Sequence, residues 1–115
     1  MVSSKSKMDL GKMIRNILRT KEIRDTLMTG DKLQVADFSD GHVIFGDGRW
    51  VKVWKDYDDV SIRAKYRDPQ TALRLMDEAM LVATSRYHNR SVIISVKNSK
   101  DAIKEGLSLA LRYYN

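Results

Sequence analysis

The sequence predicts an α+β domain in the order α-β-β-β-β-α-β-α, a mainly antiparallel sheet with helices packed on it. Three features carry that expectation. Two Asp-Gly pairs, Asp40-Gly41 and Asp47-Gly48, punctuate strand-like runs between Leu33 and Tyr66. Arg67-Asp68-Pro69 starts a helix, because Asp68 can cap and Pro69 loses nothing at the first helical position. The alternating apolar run from Ser91 to Lys97 is a fifth strand, and helical spacing follows it. With 115 residues and no linker, repeat or low-complexity segment, residues 1–115 read as one domain, of which 1–6 are expected to fray.

An Asp-Gly pair between apolar strands favours a two-residue hairpin loop, since Gly and Asp tolerate the positive φ that such loops require. A loop at Asp40-Gly41 sets Ser39 against His42, Phe38 against Val43 and Ala36 against Phe45. A loop at Asp47-Gly48 sets Phe45 against Trp50, Ile44 against Val51 and His42 against Val53. The next turn carries no glycine, and a four-residue loop over Lys55-Asp56-Tyr57-Asp58 pairs Val53 with Val60 and Val51 with Ile62.

Side chains alternate across a sheet, so these pairings sort the meander into two faces. One is aliphatic: Val35, Ile44, Val51, Val53, Val60, Ile62 and Ala64. The other mixes aromatic and cationic groups: Ala36, Phe38, Val43, Phe45, Trp50 and Trp54, with Lys52, Arg63 and Lys65 among them. The ordinary account of the second face is a helix over the aromatics, with the cationic heads reaching out to its edge. A second account is an open surface where indoles stack on nucleic-acid bases. A third is a dimer interface anchored by Trp and Arg. Trp50 and Arg63 can also satisfy one another as a cation–π pair.

Around the meander the helical signals run as follows. From about Lys7, Leu10, Met13, Ile14, Ile17 and Leu18 form one stripe, with Lys12, Arg15 and Arg19 together on the opposite side. Past Thr20 the stripe breaks, so the helix kinks there or a second short helix starts, and Gly30 closes the helical region near Thr29. The helix from Pro69 is expected to reach about Tyr87, burying Ala72, Leu73, Met76, Ala79, Met80 and Ala83, with a turn at His88-Asn89-Arg90. Asn98 or Ser99 caps a last helix from Lys100 to about Tyr114. On that helix Ala102, Gly106 and Ala110 form a strip with almost no side chain. An interior Gly costs a helix ~1 kcal/mol against Ala, so the strip implies close approach to the sheet or another helix, with a contact to a second copy of the chain as the alternative.

Composition narrows the chemistry. The chain has no cysteine, which removes disulfides and thiolate-ligated metals. It has no apolar run long enough to cross a bilayer and no apolar core for a secretory signal, so a cytoplasmic setting with no membrane partner is expected. The formal charge is +6, most of it in the segment ending at Met28, where seven Lys and Arg meet three acids. Such an excess favours polyanionic partners. No phosphate-cradling loop, dinucleotide fingerprint or nucleophile elbow is present, and His42 and His88 lack the spacing of a metal pair. Asp56, Asp58 and Asp59 around Tyr57 lack the glycine and closing glutamate of a calcium loop and read as a solvated turn.

The expectation is therefore a small basic binding protein with no cofactor and no catalytic constellation. Nucleic acid is the leading partner, contacted by Trp50, Lys52, Trp54, Arg63 and Lys65, with Lys12, Arg15 and Arg19 as helpers. The alternative is a protein-interaction or self-association module using the two-faced sheet or the Ala102-Gly106-Ala110 strip.

Overall fold

In a computed structural model of the chain, which describes residues 9–25, 33–46, 49–65, 70, 82–88 and 91–112, the meander forms as four antiparallel strands. These are β1 (Gln34–Phe38), β2 (Gly41–Gly46), β3 (Arg49–Asp56) and β4 (Asp59–Lys65). Two further strands, β5 (Val82–His88) and β6 (Ser91–Lys97), extend the sheet to six in the order β1-β2-β3-β4-β6-β5, every neighbour antiparallel. Among the described residues the helices delimited at both ends are α1 (Leu10–Leu18), α2 (Lys21–Arg24) and α3 (Lys100–Arg112).

The three meander turns resolve differently. Across residues 47 and 48, which lie outside the described residues, Phe45 faces Trp50, Ile44 faces Val51 and His42 faces Val53, as expected. The first turn is instead Ser39-Asp40: Phe38 pairs with Gly41 and Ala36 with Val43. Gly41 is drawn into β2 by close approach to β3. A Cβ there would lie 2.7 Å from the Val53 carbonyl oxygen, and its φ of +154° disfavours other residues. The third turn is also tighter than expected. Asp56 pairs with Asp59 and Val53 with Ile62, leaving only Tyr57-Asp58 as the loop. Tyr57 supplies the positive φ (59°) that a two-residue hairpin needs, although its residue type does not advertise it.

The expected helix from Pro69 to about Tyr87 is corrected at its end. Residues 66–69 and 71–81 lie outside the described residues, and Gln70 between them is helical. Residues 82–88 are strand, however, paired with β6 so that His88 faces Ser91 and Arg86 faces Ile93. Val82, Thr84 and Tyr87 favour the pleated conformation, and a waiting partner strand outweighs the continuation of a helical stripe. The pairing shifts between Val82 and Thr84, so Ala83, expected on the helix's inner side, falls at a bulge.

These three helices pack on the aliphatic face. Ile14, Ile17 and Ile23 join Ile103, Leu107 and Leu111 over Ile44, Val51, Val53, Val60, Ile62 and Ile94, and every one of these side chains is buried. At about 25 cal/mol per Å² of apolar surface removed from water, this face is the main source of stability. The N-cap of α1 is Asp9, whose carboxylate accepts from the Gly11 N–H at 3.0 Å; the helix therefore starts at Leu10 rather than near Lys7. At its far end the Thr20 hydroxyl donates to the Ile17 carbonyl at 2.6 Å, and α2 begins afresh at Lys21, the second of the two expected forms. Beyond Asp25, the expected run to Thr29 and Gly30 lies outside the described residues. Ser99 caps α3, accepting from Ala102 N–H through its side chain and from Ile103 N–H through its carbonyl.

The strip on α3 belongs to this core. Ala102 and Ala110 are buried, and a Cβ at Gly106 would stand 2.6 Å from Ile62 Cδ1 and 3.3 Å from Val96 Cγ1. Close approach to the sheet accounts for the small residues, and Ala102, Gly106 and Ala110 are buried within the chain rather than presented as the alternative contact between copies. Replacing Gly106 with Leu is expected to destabilise the fold by about 3 kcal/mol, the upper range for forcing volume into a packed core, read as a lowered urea midpoint. On a free helix face the same change would stabilise by ~0.8 kcal/mol through propensity.

Candidate functional site

The second face of the sheet is uneven. Toward β6 it is closed: Ser61, Ile93 and Ser91 are buried. Toward β1, β2 and β3 it is open. Phe38 is 58% exposed and Phe45 39%, while Trp50 and Trp54 are half-buried. Among the described residues no helix contacts this open part; the helices meet the sheet from the aliphatic side.

The register arranges the open part in rows across the strands. Phe45 lies opposite Trp50, and Phe38 lies opposite Gly41, whose bare Cα lets Trp54 pack against the turn. A Cβ at Gly41 would come within 2.9 Å of Trp54 Cβ. Between these aromatic rows Val43, Lys52 and Arg63 stand in line, Lys52 paired with both neighbours. Two strand repeats separate Trp50 from Trp54, roughly 13 Å along β3.

Lys52 and Arg63 are thus cations directly opposite one another, an arrangement that destabilises a sheet unless each charge finds a partner. The two side chains part in opposite directions. The Lys52 ammonium sits 5.7 Å from the Trp54 ring centroid and 3.1 Å from an Asp40 carboxylate oxygen. The Arg63 guanidinium carbon sits 6.0 Å from the Trp50 centroid, and Arg63 Nε donates to the buried Ser91 hydroxyl at 2.8 Å. The hydrogen bond and charge of Lys52 hold the Asp40 carboxyl below its usual range. Lys65 occupies its expected register position on this face, opposite Ser91.

The helix cations do not join this set. Lys12 and Arg15 lie on α1 and Arg19 caps its end, and α1 packs against the aliphatic side of the sheet, so they and the indoles are on opposite sides. Lys12 and Arg19 are exposed. Arg15 is engaged: its Nη2 donates to Asp37 at 2.9 Å and to the Val35 carbonyl at 3.4 Å. The other Asp37 oxygen meets His42 Nδ1 at 2.8 Å. Gly11 makes room, since a Cβ there would lie 3.0 Å from His42 Cε1. The Arg15 and His42 hydrogen bonds hold the Asp37 carboxyl below its usual range. This cluster fastens α1 to the β1–β2 hairpin, and beside it a hollow of about 300 Å³ opens between Leu10, Asp40, His42 and Lys55.

Sequence reasoning missed Asp40 as a partner of Lys52, and Asp37 as the link between Arg15 and His42. Each pair spans separate elements, and no local spacing announces it. The opposition of Lys52 and Arg63 was hidden because a longer third loop would have set Lys52 against Ser61 instead. Among the described residues no group of three His, Asp or Glu side chains converges as a metal site would require, and no helix is long and apolar enough to cross a membrane. Asp56 and Asp58 are exposed beside Tyr57, which is 91% exposed.

Asp37→Asn is expected to lower the urea midpoint at neutral pH. A depressed folded pKa contributes stability that is fully present above the unfolded value, 3.8 for Asp37, and is lost as pH falls through the folded one. The gap between wild type and variant should therefore close on acidification to about pH 2. A gap that stayed constant from neutral pH to there would mean that the Arg15–Asp37–His42 contacts add no pH-dependent stability. No protein-family model, curated protein or solved structure matches this chain.

Proposed function

We propose that the protein binds single-stranded nucleic acid on the open part of the sheet, with Trp50 and Trp54 as stacking surfaces and Lys52 and Arg63 as phosphate contacts. One observation carries this reading: two cations stand directly opposite each other between two half-buried indoles, on a face that the described helices leave uncovered. A sheet gains nothing from that pairing on its own account. A polyanion laid along β3 would relieve it while the bases find ring faces, at ~1–3 kcal/mol per stacked base. The surplus of basic residues, +6 overall, assists the approach of such a ligand. Stacking tolerates any base, so the reading implies little sequence preference. On this reading the protein acts by binding rather than by catalysis. Lys65 shares a register position on the same face, whereas Lys12, Arg15 and Arg19 are not part of it.

A protein partner, or a second copy, is the alternative favoured by Phe38 and Phe45, whose exposed rings rim the same face. The two readings differ in salt dependence. Counterion release makes nucleic-acid binding fall steeply with salt, by a slope of about 0.7 per phosphate contact on logarithmic axes for a single strand. Apolar docking lacks that dependence.

Titrating a fluorescent single-stranded oligonucleotide at two salt concentrations tests the proposal. Binding is expected at low salt, weakened about tenfold by Trp50→Ala, with a shallower salt slope for Arg63→Ala. Absence of binding at low salt, or indifference to both substitutions, would end it.

A further inference from the structure

We propose, resting on the nucleic-acid reading above, that Asp40 is a latch: it holds the Lys52 ammonium over Trp54 and keeps that stacking position covered until a phosphate draws the ammonium away. The two halves of the face are built unequally. At the Trp50 end Arg63 is held by a neutral hydroxyl, the Ser91 Oγ at 2.8 Å, and among the described residues no carboxylate pairs with it. Its remaining guanidinium donors are available to an incoming phosphate. At the Trp54 end Lys52 is already neutralised by Asp40 at 3.1 Å and lies 5.7 Å from the indole centroid.

The placement of the latch follows from the turn. Asp40 is the last loop residue before Gly41, and the missing Cβ of Gly41 lets Trp54 lie against that turn. Carboxylate, ammonium and indole are thereby brought within reach of one another from the first hairpin loop and from β3. Asp40 is 70% exposed, and Lys52 is 35% exposed. A surface pair of this kind is weak and is displaced readily by a competing anion, so the latch tunes the second position and does not abolish it. A strand of nucleic acid engages Trp50 and Arg63 first, and its next phosphates compete with Asp40 for Lys52.

The test compares wild type, Asp40→Asn and Asp25→Asn binding an oligothymidylate of about twelve nucleotides, a length within the range such sites span. Asp25 is an exposed acid at the end of α2, away from the open face, and its variant reports the bare effect of one added positive charge. Asp40→Asn is expected to bind about fivefold tighter than Asp25→Asn, with a salt slope steeper by about 0.7, the contribution of one more phosphate contact. If the two variants bind alike, the latch is wrong while the stacking face stands. If none binds at low salt, the nucleic-acid reading falls. A second measurement judges the latch without any ligand. In a Trp50→Phe background Trp54 is the one tryptophan left, and under excitation selective for tryptophan Asp40→Asn should raise its quenching by acrylamide; an unchanged quenching constant overturns the latch whatever the binding shows.

Discussion

The two-residue alternation of the strands is the constraint on which the rest of the molecule depends. Along β3, Val51 and Val53 go down into the helices, so Trp50, Lys52 and Trp54 must go up. Once burying the aliphatic set fixes which face the helices take, the opposite face inherits whatever remains. In β1 to β4 what remains is aromatic and cationic. Helix packing on one side and the half-buried indoles on the other are therefore consequences of a single register.

That constraint also explains how much of the fold was legible in the sequence. Two of the three meander turns were placed wrongly, yet every face assignment survived. Moving a hairpin loop by one residue, or removing two residues from one end of it as at Tyr57-Asp58, shifts each cross-strand pair by two positions, and a shift of two restores the same face. Ile44 and Ile62 were inward under either register. What the error hid was who stands beside whom. Lys52 met Arg63 only when the third loop tightened to Tyr57-Asp58, and that loop has no residue type to signal it.

The helices show a different limit. Lys100 to Arg112 was readable because a periodic stripe and an expected cap at Asn98 or Ser99 agree; Leu10 to Leu18 was readable from its stripe alone, and with the Asp9 cap unread its start was set too early. From Val82 to His88 the two kinds of signal conflict. Val82 and Ala83 continue a helical stripe, while Thr84 and Tyr87 suit a strand, and the contest is decided by β6, a partner that local spacing cannot see. The same blindness covers Arg15. Its helical position groups it with Lys12 and Arg19, but Asp37, distant in sequence, draws it down to the sheet.

The position of Arg15 bears on the outer border of the sheet. β1 is an outer strand of the sheet, and an outer strand offers unpaired carbonyls and amides to any extended chain that passes. The Arg15 guanidinium already occupies the Val35 carbonyl and is tied there by the neighbouring Asp37 carboxylate. A fixed positive group on the rim is a poor template for a foreign strand. Fastening the first helix thus also sets a charged group on this border of the sheet, the kind of feature by which edge strands discourage pairing with other chains.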